Sequence, residues 1–190
     1  QKALSCHDAR KSPQKYCVVT QSPNFLHDFC RFSEITFLIL RNMKKLYNNV
    51  TIITGGGKGI GFGLAKAFAN EGSNLVITGR VAERLQQAKE QLEKVYGVKV
   101  LAIVADGTKE EDVKNVIGQT IRTFGKINTL INNAQASKSG LPLIEHTVED
   151  FDLAINSGLY ATFFYMREAY TYLKEIKGSV INFASGAGFF

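Results

Sequence analysis

The stretch TGGGKGIG (residues 54–61) joins an apolar, β-branched run, VTIIT, to a helical pattern. Glycines at such a joint reach positive φ, let backbone approach a ligand closely, and leave the first amides of the helix facing an anion. The chemistry this suits is phosphate binding; a flexible glycine turn that holds nothing is the other reading. The spacing is G-x-x-x-G-x-G, and Lys58 is followed by Gly59, not by the Ser/Thr of a P-loop. A second place lies in SVINFASGAG (179–188), where a strand-like run opens into a small-residue turn holding Ser185. That hydroxyl could orient a substrate or simply start the next segment. Cys6, Cys17 and Cys30, with His7 and His27, lie in the first 42 residues without C-x-x-C spacing, so no metal site is expected.

These residues need elements to position them, and the chain supplies a regular series after Met43. VTIIT (50–54), NLVIT (74–78), VKVLAIVA (98–105), INTLIN (127–132) and SVINF (179–183) read as strands. Between them lie helical patterns. The first places Leu64 and Phe68 four apart and closes on Gly72. The second puts Leu85, Ala88, Leu92 and Val95 on one face, and the third carries Val113, Val116, Ile117, Ile121 and Phe124 at helical spacing. Thr108 and Glu111 have capping-box spacing, and a Thr-x-x-Asp start at Thr147 opens a long helix to about residue 175. Strands alternating with amphipathic helices predict a doubly wound parallel α/β sheet, Rossmann-like and incomplete at its C-terminal side. Ligands of such sheets sit beyond the carboxyl ends of the strands, where strand order reverses.

Composition excludes several classes. Hydrophobic residues at 45% and charged residues at 21% are ordinary globular values. The net charge of +6 forms no basic stripe with interleaved aromatics, so no nucleic-acid partner is expected. The apolar run ITFLIL (35–40) is too short to span a bilayer, follows Glu34 and lacks a cleavage pattern, so no membrane partner and no signal peptide are expected. Residues 1–42 lack a clean period and are read as an extension, either a leader or non-native upstream sequence, with an extra subdomain as the alternative; residues 43–190 are read as the dinucleotide-binding domain. That domain has no cysteine, which fits a reducing cytoplasm.

T-G-x-x-x-G-x-G after the first strand, N-N-A after the fourth and a serine after the fifth resemble the short-chain dehydrogenase/reductase family, over residues 46–190. The resemblance implies a nicotinamide dinucleotide and hydride transfer to or from a carbonyl, alcohol or enoyl-thioester-type small molecule, in a homo-oligomer. It places Gly55, Gly59 and Gly61 around the pyrophosphate, with Gly57 and Ile60 in the same turn and Lys58 near the adenosine ribose. NAD-selective members carry an acidic residue at the tip of the second strand; here Gly79 stands there, followed by Arg80, which favours NADP over NAD. Asp106, beside Gly107, matches an adenine-binding acid, or else helps start the next helix. Asn133 and Ala134 match cofactor-contacting positions, while Asn132 is read as a brace of the sheet.

Ser185 matches the serine that hydrogen-bonds the substrate carbonyl. The family's tyrosine acid/base and its lysine, in a Tyr-x-x-x-Lys pair, are expected about a dozen residues beyond it, so the chain as it stands is expected to be inactive. Tyr170 and Lys174 share that spacing but precede the fifth strand and read as a decoy. Two positions depart from the family pattern: Gln135 stands where a glycine is usual, and Gly158 where the asparagine of a proton relay is usual, with Asn156 two residues earlier. The reading is therefore an NADP(H)-dependent oxidoreductase; the alternative is a catalytically incomplete dinucleotide-binding module acting as sensor or partner protein.

Overall fold

The computed structural model describes residues 44–138 and 140–184. Five strands, β1 (Val50–Thr54), β2 (Asn74–Gly79), β3 (Val100–Val104), β4 (Thr129–Asn132) and β5 (Ser179–Asn182), form one sheet in the order β3-β2-β1-β4-β5. Every neighbouring pair is parallel. Helices α1 (Gly59–Asn70), α2 (Ala82–Tyr96) and α3 (Glu110–Phe124) connect the first four strands. Between β4 and β5 lies one long helical stretch: α4 (Val148–Ala154), a π segment (Ile155–Tyr160) and α5 (Ala161–Glu175). The expected doubly wound sheet is therefore what the chain forms.

Successive strand residues point to opposite faces, so a strand covered on both must be apolar throughout. Ile53, Leu75, Ile77 and Ile131 pack with Ala65 and Leu92 of α1 and α2. On the other face Ile52, Val76 and Leu130 pack with Val116 of α3 and with Tyr165 and Leu173 of α5. α1 turns Gly61, Ala65 and Ala69 inward, leaving Leu64 and Phe68 half-buried at the flanks. It ends in a Schellman motif, in which Ser73 N donates to Phe68 O at 3.0 Å and Gly72 N to Ala69 O at 2.9 Å.

Two local expectations fail. Val95 is 61% exposed, and Tyr96 and Val98 pack in its place. Thr108 forms no capping box, because its hydroxyl donates to Asp106 Oδ1 at 2.9 Å and α3 begins at Glu110 behind an uncapped Lys109. The box at Thr147 does form, with the Asp150 amide donating to Thr147 Oγ1 at 3.2 Å and Asp150 Oδ2 accepting from the Thr147 amide at 3.2 Å.

Candidate functional site

The chain runs outward from β1 through β2 to β3, then returns to the other side of β1 as β4, so strand order reverses between β1 and β4. A cleft of about 300 Å³ opens at the carboxyl ends of these strands. Thr54, the last residue of β1, clips the two strand ends together. Its hydroxyl accepts from Asn133 N and Ala134 N, both at 2.9 Å, and donates to Ile131 O at 3.4 Å. Its carbonyl accepts from Asn133 Nδ2 at 2.9 Å. The Asn133 side chain thus braces the β1 turn and is absent from the cleft wall. Asn132 does line the cleft: its Nδ2 donates to Asn182 Oδ1 at 2.8 Å, tying β4 to β5, while its buried Oδ1 has no partner among the described residues.

The glycine turn is shaped by close approach. Gly55 has φ +69°, and a side chain there would press on Asn133 Nδ2 at 3.1 Å and Ala134 Cα at 3.3 Å. A Cβ on Gly61 would collide with Gly55 O and stand 2.7 Å from Asn133 Nδ2. Only hydrogen fits, and this lets α1 begin directly under the turn. No side chain caps α1, whose first turn carries no acidic residue, so the leading amides keep their positive end toward an anion. A carboxylate-free helix start at a strand-order reversal fits a dinucleotide pyrophosphate.

Gly55, Gly57, Lys58, Arg80, Asp106, Gly107 and Ala134 come together on the cleft wall. Gly59, Ile60 and Gly61 lie outside the wall, in the helix start behind it, and Ile60 is 69% exposed. Ser185 lies outside the described residues, as do the extension and its cysteines. Tyr170 and Lys174 stack on each other at the surface of α5, the Lys174 Nζ 5.7 Å from the ring centroid, and neither lines the cleft.

Asp106 Oδ1 accepts from Thr108 N at 3.0 Å and from Thr108 Oγ1, while Asp106 N donates to Asp112 Oδ2 at 2.8 Å. Burial pushes its carboxyl up, but both Thr108 hydrogen bonds, with Arg80 and Lys109 nearby, outweigh this and leave it below the ordinary aspartate value. The β3 turn is thereby held rigid beside the Lys58–Arg80 rim. Among the described residues no ion pair engages Lys58, Arg80 or Arg84.

Several cleft residues escaped the sequence reading. Arg84 follows Arg80 by four residues at the start of α2, a spacing that could have drawn notice. Tyr165 is buried against Thr78, its hydroxyl 3.4 Å from Thr78 Oγ1, and burial pushes its pKa up to about 12. It is a wall, not an acid/base group. Ser157 clamps the loop after β4: its Oγ accepts from Ala136 N at 2.9 Å and contacts Ala136 O at 2.8 Å and Leu153 O at 2.6 Å, sharing one proton between the two carbonyls. No periodicity announces such a clamp.

A doubly wound parallel sheet with a glycine turn at its reversal point defines a dinucleotide-binding domain. The sequence profile described as short chain dehydrogenase matches residues 49–190, and the chain belongs to that family of nicotinamide-dependent oxidoreductases. Over 147 residues it is 59% identical to a 12alpha-hydroxysteroid dehydrogenase of Clostridium sp., covering 74% of this chain and 57% of that protein. It is 31% identical over 139 residues to L-fucose dehydrogenase of Bos taurus, covering 73% of this chain and 50% of that protein. Among solved structures, NAD+-bound xylitol dehydrogenase superimposes with a TM-score of 0.73 at 28% identity, over 77% of this chain and 56% of that one. L-sorbose reductase from Gluconobacter frateurii, complexed with NADPH and L-sorbose, gives 0.72 at 28% identity, over 76% and 55%. The chain thus spans half to three-fifths of the length of these relatives.

Proposed function

We propose that the chain is the cofactor-binding part of an NADP(H)-dependent oxidoreductase that interconverts a ring alcohol and its ketone, with hydroxysteroids as the substrate class. The observation that carries the cofactor choice is the tip of β2. Gly79 offers no carboxylate to repel a 2′-phosphate, and Lys58 and Arg80 line the same rim without ion-pair partners among the described residues. The 59% identity to the hydroxysteroid enzyme supports the substrate class over an acyl thioester.

The bound nicotinamide supplies or takes the hydride. Gly55, Gly57 and the leading amides of α1 hold the pyrophosphate in this reading, Asp106 and Gly107 flank the adenine, and Ala134 bounds the inner cleft. Ser185 donates a hydrogen bond to the substrate oxygen, and a Tyr-x-x-x-Lys pair further along the full-length protein moves the proton. The working protein is a homo-oligomer in this reading, supported by exposed Phe163 and Tyr170 on α5, and the cysteine-free domain fits a reducing cytoplasm.

The test is cofactor titration of the full-length protein. Wild type binds NADPH more tightly than NADH, and Arg80→Ala or Lys58→Ala weakens NADPH by about tenfold while leaving NADH unchanged. Equal affinity of wild type for the two cofactors would overturn the assignment. Turnover is measured with a 12α-hydroxysteroid and NADP+, and failure to form NADPH with it or any other ring alcohol removes the substrate class.

A further inference from the structure

Gln135 is the one residue of the NNAQA loop whose neighbours on both sides are pinned and whose own side chain is not. Thr54 accepts the amides of Asn133 and Ala134, and Ser157 clamps both backbone groups of Ala136. The backbone of Gln135 therefore has a fixed direction. Its side chain crosses the π segment at Gly158, where a Cβ would stand 3.6 Å from Gln135 Cγ and 3.7 Å from both Cδ and Nε2. Any side chain longer than alanine at 158 would claim the volume that Gln135 fills. Gln135 also lines the cleft, and among the described residues no hydrogen bond engages its carboxamide. Gln135 is exposed at the cleft, so its carboxamide is open to a molecule that enters there.

From this geometry, and resting on the oxidoreductase reading above, we infer that the Gln135 carboxamide contacts the substrate and that Gly158 is its seat. A carboxamide suits a reversible alcohol–ketone pair. Its Oε1 accepts from a hydroxyl and its Nε2 donates to a carbonyl, so one residue can satisfy a substrate oxygen in either oxidation state. The two departures at 135 and 158 become a single feature: a carboxamide reaching the cleft from the loop over a position emptied on the helix.

The experiment measures binding of the steroid probe to the NADPH-loaded full-length protein by calorimetry, alongside turnover. Gln135→Gly weakens probe binding by up to about tenfold, the size of one neutral hydrogen bond, with NADPH affinity unchanged. Gln135→Leu keeps the packing over Gly158 and shows the same loss, which guards against a loop that merely loosens in the glycine variant. Gly158→Asn alone also weakens binding by displacing Gln135, and the double variant Gln135→Gly/Gly158→Asn recovers most of it by returning a carboxamide to the same volume from the helix. Equal binding by wild type and Gln135→Leu, additive losses in the double variant, or no binding of the probe by wild type would each overturn the inference. Binding that follows this pattern without turnover supports the inference and removes the oxidoreductase reading instead.

Discussion

Tyr165 shows how a residue that lines the candidate cleft can be unsuited to proton transfer. The phenol is buried between β2 and α5, and that burial raises its pKa to about 12. In the unfolded chain the same group ionises near 10, so between those values the unfolded state has lost a proton that the folded state keeps. Stability therefore falls as pH rises from about 10 to about 12, by roughly 2–3 kcal/mol from this residue. Tyr165→Phe should flatten that alkaline limb in denaturant melts run across the range; an unchanged limb would assign the loss elsewhere. At this scale the sequence was legible where a residue type has one structural use. Gly55 and Lys58 fall at the cleft as their spacing suggests. Asn133 was less legible because its amide serves the Thr54 carbonyl, a partner 79 residues away that no local pattern reveals.

Among the elements, α1 depends most directly on one atom being absent. Gly61→Ala would drive a methyl group against Gly55 O and Asn133 Nδ2, both held by the β1 turn. Because the neighbour is backbone, the turn must move, at a cost of about 1–3 kcal/mol. The expected result is a lower denaturation midpoint for Gly61→Ala and, under the cofactor assignment proposed above, little added stabilisation by NADPH; full stabilisation by NADPH would show the turn intact. The positions of β1, β2 and β4 were readable because burial on both faces demands unbroken apolar runs. The start of α3 was not. Asp106 competes for the Thr108 hydroxyl two residues away and wins it, so a correct capping-box spacing produced no box. The π segment was not legible either: within it the Ser157 hydroxyl bonds to Ala136, 21 residues away, a partner that no local pattern reveals.

Over the whole molecule, the sheet is unequal at its two margins. At one margin β3 keeps Val100 and Ile103 buried; at the other all four residues of β5 are exposed, Val180 at 39% and Ile181 at 40%, and among the described residues β5 pairs with β4 alone. An apolar strand that pairs on one side only invites another strand. The 190-residue chain expressed alone should therefore self-associate, and Ile181→Lys should reduce that association in light scattering without changing far-UV dichroism; a monomeric wild-type chain would contradict this. The long helix carries a different consequence, from cleft to core. Leu153, Ser157, Ala161, Tyr165, Ala169 and Leu173 recur at every fourth residue, the first four on the cleft wall and the last three in the core. In an unbroken α-helix such a file swings about 40° at each step. The π segment at Ile155–Tyr160 widens one turn and swings the file back. The widened turn accommodates an extra residue, so the helix works as two lengths of shaft joined by a phase adjuster at 155–160.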